Sequence, residues 1–262
     1  MMPGKAIRHW IVGFALAAGV VGVAGAVVVW NEYLSPPSIE RQPLPRNLIA
    51  LDSPAGQRLL RESEAVADYD DLQASFVAQS RRAYCGVASA VMALNAAGTV
   101  RTPLDQRTLF SHPSVEAHPL KVSFIGMSLR EFGALLRAHG ANATVVKASG
   151  TDIAAFRQAA RANLGSEGDY LVVNYGREHL GQLPMGHISP LAAYHAPSDR
   201  VLILDVAAHK YPPVWVRLDE VWEAMNAPLN PETTLTRGYV VVHGRPARQA
   251  DATTASAAIA HR

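Results

Sequence analysis

The sequence holds one cysteine, Cys85, among 262 residues. A single thiol cannot close an intramolecular disulfide, and it cannot supply the several thiolates of a zinc or iron–sulfur site. Cys85 is therefore an inert core residue, an intermolecular link, or a nucleophile. Its neighbours bear on the choice. The polar run Gln79-Ser80-Arg81-Arg82 leads into Cys85-Gly86-Val87-Ala88-Ser89, where a helical pattern begins. The partial positive charge of a helix start favours thiolate over thiol, and Arg81 and Arg82 are expected to push the same way. A thiolate attacks carbonyl carbon. Two residues farther along complete a possible relay. His187 stands at the entry to a strand, in Gly186-His187-Ile188-Ser189-Pro190. Asp205 ends the apolar run Leu202-Ile203-Leu204, a position where a buried strand does not carry an acid without a partner. Histidine can take the thiol proton and return it to a leaving amine, and a carboxylate can hold its tautomer. Gln79 could set a side-chain amide beside the backbone N–H of Cys85 as a second oxyanion donor. Taken singly, each has a plain alternative: a buried thiol, a structural histidine, a surface glutamine. Together they suit a thiol acyltransferase or peptidase.

The elements that must position these groups follow from pattern. Ser53-Pro54 is an N-cap with proline at the first helical position. The spacing predicts a helix over 85–95, stopped by Gly98. Ser128 to Glu131 reads as a capping box for a helix ending at Gly140. Thr151 or Asp152 caps another, running to about Asn163. The back half turns to strands at 170–175, 188–194, 201–206 and 239–242, with one short helix over 218–225. Pro197-Ser198-Asp199 supplies turn chemistry. A hairpin centred on residue 196 would set His187 opposite Asp205, given a bulge near the turn. Helices first and an antiparallel sheet afterwards is an α+β order.

The ends read differently. Residues 1–10 carry Lys5 and Arg8, and residues 11–30 form an uncharged apolar run with Trp10 and Trp30 at its borders. About twenty residues of helix cross a bilayer. Residues 11–30 are expected to be a transmembrane anchor, or a cleaved signal with Ala24-Gly25-Ala26 as the site. Either sends the rest to a periplasmic or other extracytoplasmic space, where an unpaired thiol calls for a chemical reason. Residues 31–48 are proline-rich and expected to act as an extended spacer. Residues 49–243 form one domain, and 244–262 an alanine-rich disordered tail. At 49% hydrophobic and 18% charged the chain is not disordered. Its formal net charge of +2 gives no nucleic-acid footprint.

At these residues the sequence resembles the phytochelatin synthases. The stretches that carry the likeness are Ala83-Tyr84-Cys85-Gly86-Val87-Ala88-Ser89, Val173-Asn174-Tyr175, Gly186-His187-Ile188-Ser189-Pro190, Leu202-Ile203-Leu204-Asp205-Val206 and Lys210-Tyr211-Pro212-Pro213-Val214-Trp215-Val216. They are followed in order by Trp222-Glu223-Ala224-Met225 and Arg237-Gly238-Tyr239. The resemblance spans about Leu51 to Val242 and implies a papain-like cysteine protease fold. It implies that Cys85 attacks the Cys–Gly peptide of glutathione, releases glycine and holds a γ-glutamylcysteinyl thioester. Water or a second glutathione then takes the acyl group. Cys85, His187 and Asp205 match the family triad, and Gln79 its oxyanion glutamine.

Arg177 and Arg237 are candidates for gripping substrate carboxylates. The family's arginine two positions before Lys210 is Ala208 here, which points to hydrolysis over transfer. The sequence is expected to be a short, bacterial-like form without the cysteine-rich second region of the plant members. No cofactor is expected to be obligatory, no protein metal site is expected, and heavy-metal ions are expected to act through glutathione thiolates. The expected partners are glutathione or its S-conjugates, the membrane through the N-terminal segment, and a second copy in a homodimer, with no nucleic acid. The competing readings are a papain-like peptidase acting on a larger peptide, and a membrane-tethered binding module for glutathione or metal without catalysis.

Overall fold

The structure, a computed structural model, describes residues 21–230 and 232–243. The first half of the apolar run 11–30 and all of the tail 244–262 lie outside the described residues. Residues 21–29 are helical, and no helix among the described residues is long and apolar enough to cross a membrane.

Among the described residues, seven strands form one antiparallel sheet: β1 (Ile49–Ala50), β2 (Asn142–Lys147), β3 (Asp169–Gly176), β4 (Gly186–His195), β5 (Arg200–Ile203), β6 (Val214–Arg217) and β7 (Gly238–His243). Their order across the sheet is β1-β6-β5-β4-β3-β7-β2. Helices cover both faces, which gives the α+β architecture. On one face lie α2 (Tyr69–Ala74), α3 (Cys85–Ala96) and α5 (Leu129–Ala138). On the other lie α6 (Ile153–Leu164) and α7 (Leu218–Asn226). The remaining helices, α1 (Pro54–Glu62) and α4 (Pro119–Ile125), flank the first face. Strand β3 shows the logic: Tyr170 and Val172 enter one core, Leu171, Val173 and Tyr175 the other. Side chains alternate with period two, so a strand buried on both faces must be apolar throughout.

Local chemistry sets the helix ends much as the pattern reads. Ser53 caps α1 through Gly56 N–H, with Pro54 at its start. Ser128 and Glu131 form the reciprocal capping box of α5. Asp152, not Thr151, caps α6. Helix α3 is the central one. Residues 86–94 are all buried, and Ala88, Ser89, Ala90 and Ala93 are small enough to let it pack on every side.

The hairpin needs one correction. Strand β5 ends at Ile203, earlier than the expected 206, and Leu204 N–H reaches Pro190 O at 3.0 Å. Pairing runs Leu191↔Ile203, then slips to Ala193↔Leu202. Both Ala192 and Ala193 consequently join the same core, the signature of a bulge. That register sets Asp205 in line with Ser189 and not opposite His187. The turn is at Ala196–Ser198, and Asp199 takes a left-handed φ of 49°. Arg157 grips its carboxylate at 2.8 Å and Tyr194 Oη at 2.9 Å, which stabilises the unusual conformation.

Three further elements depart from the local pattern. Strands β2 and β6 are absent from the sequence reading: β2 is held by β7, far away in the chain, and β6 lies between its neighbour β5 and the distant β1. Residues 31–48 are not a free spacer over their C-terminal part. Glu40 N–H and Gln42 N–H bond to the carbonyls of His209 and Lys210 at 2.9 and 3.0 Å, and Leu48 is buried. The segment is a strap laid along the domain.

Candidate active site

Cys85 is the first residue of α3, at the floor of a cleft of about 670 Å³. Tyr84 is its N-cap residue and offers no side-chain acceptor to the helix. The first helical bond runs from Ala88 N–H to Tyr84 O at 2.9 Å. The backbone N–H groups of Cys85, Gly86 and Val87 therefore find no oxygen acceptor among the described residues. Such orphan amides are positioned to receive a developing oxyanion. A Cβ on Gly86 would stand 2.7 Å from the Met127 side chain and 3.2 Å from Ile188, so the turn beside the sulfur is tightly enclosed.

Burial pushes the Cys85 thiol up, while the amides of Ile188 and Gly86 and the charge of Arg177 pull the other way. Neither Arg81 nor Arg82 supplies the neighbouring charge expected of them. Arg81 turns to Tyr84 Oη at 2.9 Å and Ser123 Oγ at 2.6 Å, and Arg82 pairs with Glu32 at 2.8 Å.

His187, on β4, lines the same cleft as Cys85. Ser89 Oγ of α3 donates to Ile188 O at 2.9 Å, which ties the helix of Cys85 to the strand of His187. Asp205 is wholly buried. Its Oδ1 accepts from His187 Nε2 at 3.0 Å, Ala207 N–H at 2.8 Å and Arg177 at 2.7 Å. Burial alone would raise the Asp205 carboxyl. The Arg177 guanidinium and His187 outweigh it and hold the group well below the usual carboxylate range. An ionised carboxylate only accepts, so His187 carries its proton on Nε2 and offers the Nδ1 lone pair. Nδ1 has no hydrogen-bond partner among the described residues. Burial, reinforced by Arg177, pushes the imidazole down to about 4, against the pull of Asp205. His187 is thus neutral at rest and able to accept a proton. Ser189 Oγ, 2.9 Å from Nε2, and the edge of the Tyr175 ring, 5.6 Å between centroids, complete its enclosure.

Arg177 is corrected by the structure. It is 2% exposed and cannot grip a substrate carboxylate. One terminal nitrogen holds Asp205 and the other Gln182, and its guanidinium lies 5.1 Å from the Tyr211 ring centroid. Its place is behind Asp205 and His187, neutralising the acid. The signal that could have found it is the acid itself: Asp205 in an apolar run requires a buried cation.

Arg237 differs. It lines the cleft beside Gly186, with Nη1 buried and without a partner among the described residues. Arg130 and Lys147 line the same cleft, make no ion pair among the described residues, and no carboxylate stands on its wall. Sequence reasoning missed both. Gln79 is buried next to the site, and its backbone N–H holds Val206 O at 2.9 Å. Its Nε2 donates to the carbonyls of Arg81 at 3.0 Å and Arg82 at 2.7 Å. Service as an oxyanion donor would require release of one of these, the Arg81 bond being the longer.

Comparison with known proteins gives one consistent result. A family model described as phytochelatin synthase matches residues 39–239. A glutathione gamma-glutamylcysteinyltransferase 3 of Lotus japonicus is 33% identical over 197 residues, covering 72% of this chain and 41% of the relative. A glutathione gamma-glutamylcysteinyltransferase 1 of the same plant is 36% identical over 178 residues, 66% of this chain and 35% of the relative. The Schizosaccharomyces pombe protein of that name is 28% identical over 217 residues, 78% of this chain and 51% of the relative. The chain thus spans between about a third and a half of the length of these relatives.

Proposed function

The chain belongs to the phytochelatin synthase family, and from that premise we propose that it cleaves the Cys–Gly bond of glutathione through a thioester on Cys85. The observation that carries the reading is the cleft itself. It is lined by both the thiol and a neutral histidine whose free nitrogen is set by a buried carboxylate, and by Arg130, Lys147 and Arg237 with no acid in the lining. Glutathione is a small peptide with two carboxylates and suits a cleft of about 670 Å³, within the range of small-molecule sites. A low-dielectric pocket rich in cations concentrates such an anion although the chain's net charge is only +2. Arg237, with its unpartnered Nη1, is the side chain best suited to a substrate carboxylate.

The chemistry then follows from the atoms in place. His187 Nδ1 takes the Cys85 proton as the sulfur attacks the cysteinyl carbonyl carbon of glutathione. The oxyanion forms over the orphan amides at the start of α3, with Gln79 as a further donor if its amide leaves Arg81 O. The imidazolium, stabilised by Asp205, returns the proton to the glycine nitrogen, and the C–N bond breaks. Glycine departs and the γ-glutamylcysteinyl thioester remains. Water attacks it to give γ-glutamylcysteine, or the thiol-bearing second glutathione provides the amine that extends a phytochelatin. The helix start that carries the nucleophile, packed on an antiparallel sheet that carries the histidine, supports a papain-like fold. Ala208, where the family tends to carry a cation, favours water over the second glutathione. Heavy-metal ions enter this scheme as complexes of the substrate's thiol, since Cys85 is the only thiol in the sequence. The basic-then-apolar pattern of residues 1–30 supports an extracytoplasmic location.

The test is product analysis. The purified protein with glutathione is expected to release glycine and γ-glutamylcysteine in near-equal amounts. A product mixture dominated by phytochelatins would overturn the hydrolytic preference, and no glycine at all would overturn the activity.

A further inference from the structure

Residues 30–34 precede the part of the chain that matches the family model, which begins at residue 39. They nevertheless reach the active-site cleft. Trp30–Leu34 forms one turn of π-helix, closed by Ser35 N–H on Trp30 O at 2.8 Å and by Ser35 Oγ on Asn31 O at 2.8 Å. Tyr33 lines the same cavity as Cys85 and His187. Its ring lies against Phe124 of α4, 4.8 Å between centroids and tilted by 37°. Beside it, Glu32 pairs at 2.8 Å with Arg82, a cleft residue three positions before the nucleophile. That exposed ion pair is weak alone. The turn is also tethered from behind, where residues 40 and 42 bond to the chain at 209–210, just past Asp205. The lip thus presents an aromatic face to the cleft, held by the Phe124 contact and the Arg82 pair. Leu229, Leu235 and Met185, each partly exposed, belong to the same cavity lining.

We propose that Tyr33 is a specificity-determining residue, limiting the bulk of the group that can reach Cys85. The inference rests on the proposed function only for the identity of the substrate. Access to Cys85 can be read without any turnover, because the chain has a single thiol and every thiol reagent reports on one atom. The full-length wild-type protein, Tyr33→Ala and Tyr33→Phe would be treated with N-methylmaleimide and with N-(1-pyrenyl)maleimide. The rate ratio of the bulky to the small reagent cancels changes in thiol reactivity.

Tyr33→Ala is expected to raise that ratio by about tenfold, the low end of what pocket shape discriminates. Tyr33→Phe, which keeps the ring, is expected to retain the wild-type ratio, and Glu32→Ala, which loosens the lip, to raise it by a smaller amount. An unchanged ratio in Tyr33→Ala would overturn the proposal. A second arm follows glycine release from glutathione, where Tyr33→Ala is expected to raise KM more than it lowers kcat. A ratio that responds in a protein that releases no glycine would leave the wall standing and remove the proposed reaction. Normal glycine release with an unresponsive ratio would do the reverse.

Discussion

Arg177→Met removes one charge from a pair sealed in the core. Asp205 is fully buried and Arg177 nearly so, with 2.7 Å between them. Loss of one partner from such a pair costs about 3–5 kcal/mol, mostly through the uncompensated charge left behind. In a chain of this size 1 kcal/mol corresponds to roughly 2–4 °C in Tm, so a fall of about 6–20 °C is expected by calorimetry or near-UV circular dichroism. The catalytic consequence has a definite sign. Arg177 helps to hold the His187 imidazole down, and Asp205 pulls it up. Without the guanidinium, both the imidazole and the Asp205 carboxyl move upward, so the acid limb of kcat/KM shifts to higher pH. The double variant Arg177→Met with Asp205→Asn removes both charges and should be less destabilised than the sum of the single variants, with a coupling of about 0.5–3 kcal/mol. If Arg177→Met instead raised KM for glutathione while Tm and the pH profile stayed put, the side chain would be a substrate ligand, and the buried-pair reasoning would be refuted.

Three other outcomes follow from the same geometry. Because burial lowers His187 to about 4, activity should fall only as pH drops through about 4, and stability should grow as pH rises from about 4 to 6.5 and then level; an acid limb near 6.5 would contradict this. Burial raises Asp68 to about 7, and its Oδ2 has no partner while Oδ1 accepts from Gly168 N–H at 2.9 Å. Its contribution is present below pH 3.8 and lost as pH rises through about 7, so Asp68→Asn should stabilise the fold at pH 8, measured by urea unfolding, and a lower midpoint would count against it. Gln79→Ala should lower kcat by about 10²–10³ with little change in KM if the amide turns to the oxyanion; a loss under about tenfold would restrict the side chain to bracing the loop at Arg81 and Arg82.

Chemistry was the more legible part of the sequence. Cys85 stands out because it is the only thiol and opens a helix, and Asp205 because an acid ends an apolar run. His187 is brought within 3.0 Å of Asp205, although the hairpin register differs from the one expected. A long side chain tolerates a slip that a Cα alignment does not. What the sequence concealed was distance. Arg81 and Arg82 are near Cys85 in the chain but spend their charge on Tyr84, Ser123 and Glu32. Arg177 is far away in the chain and supplies the cation. An arginine at a strand end reads as surface until its acid is known. Strand β2 escaped for a related reason: its Asn142–Lys147 backbone is satisfied by β7, nearly a hundred residues later, and local pattern carries no trace of that pairing. Proline content made 31–48 read as a spacer, yet Leu48 and two backbone bonds fasten it to the domain.

The most direct measurement is the mass of the intact protein, with peptide mapping, after brief exposure to glutathione and acid quench. Wild type is expected to carry a γ-glutamylcysteinyl group on Cys85, in an amount that rises with the release of glycine, and His187→Ala is expected to carry none. Glycine release that persists in Cys85→Ala, or an adduct that forms equally well without His187, would contradict the assignment of nucleophile and base.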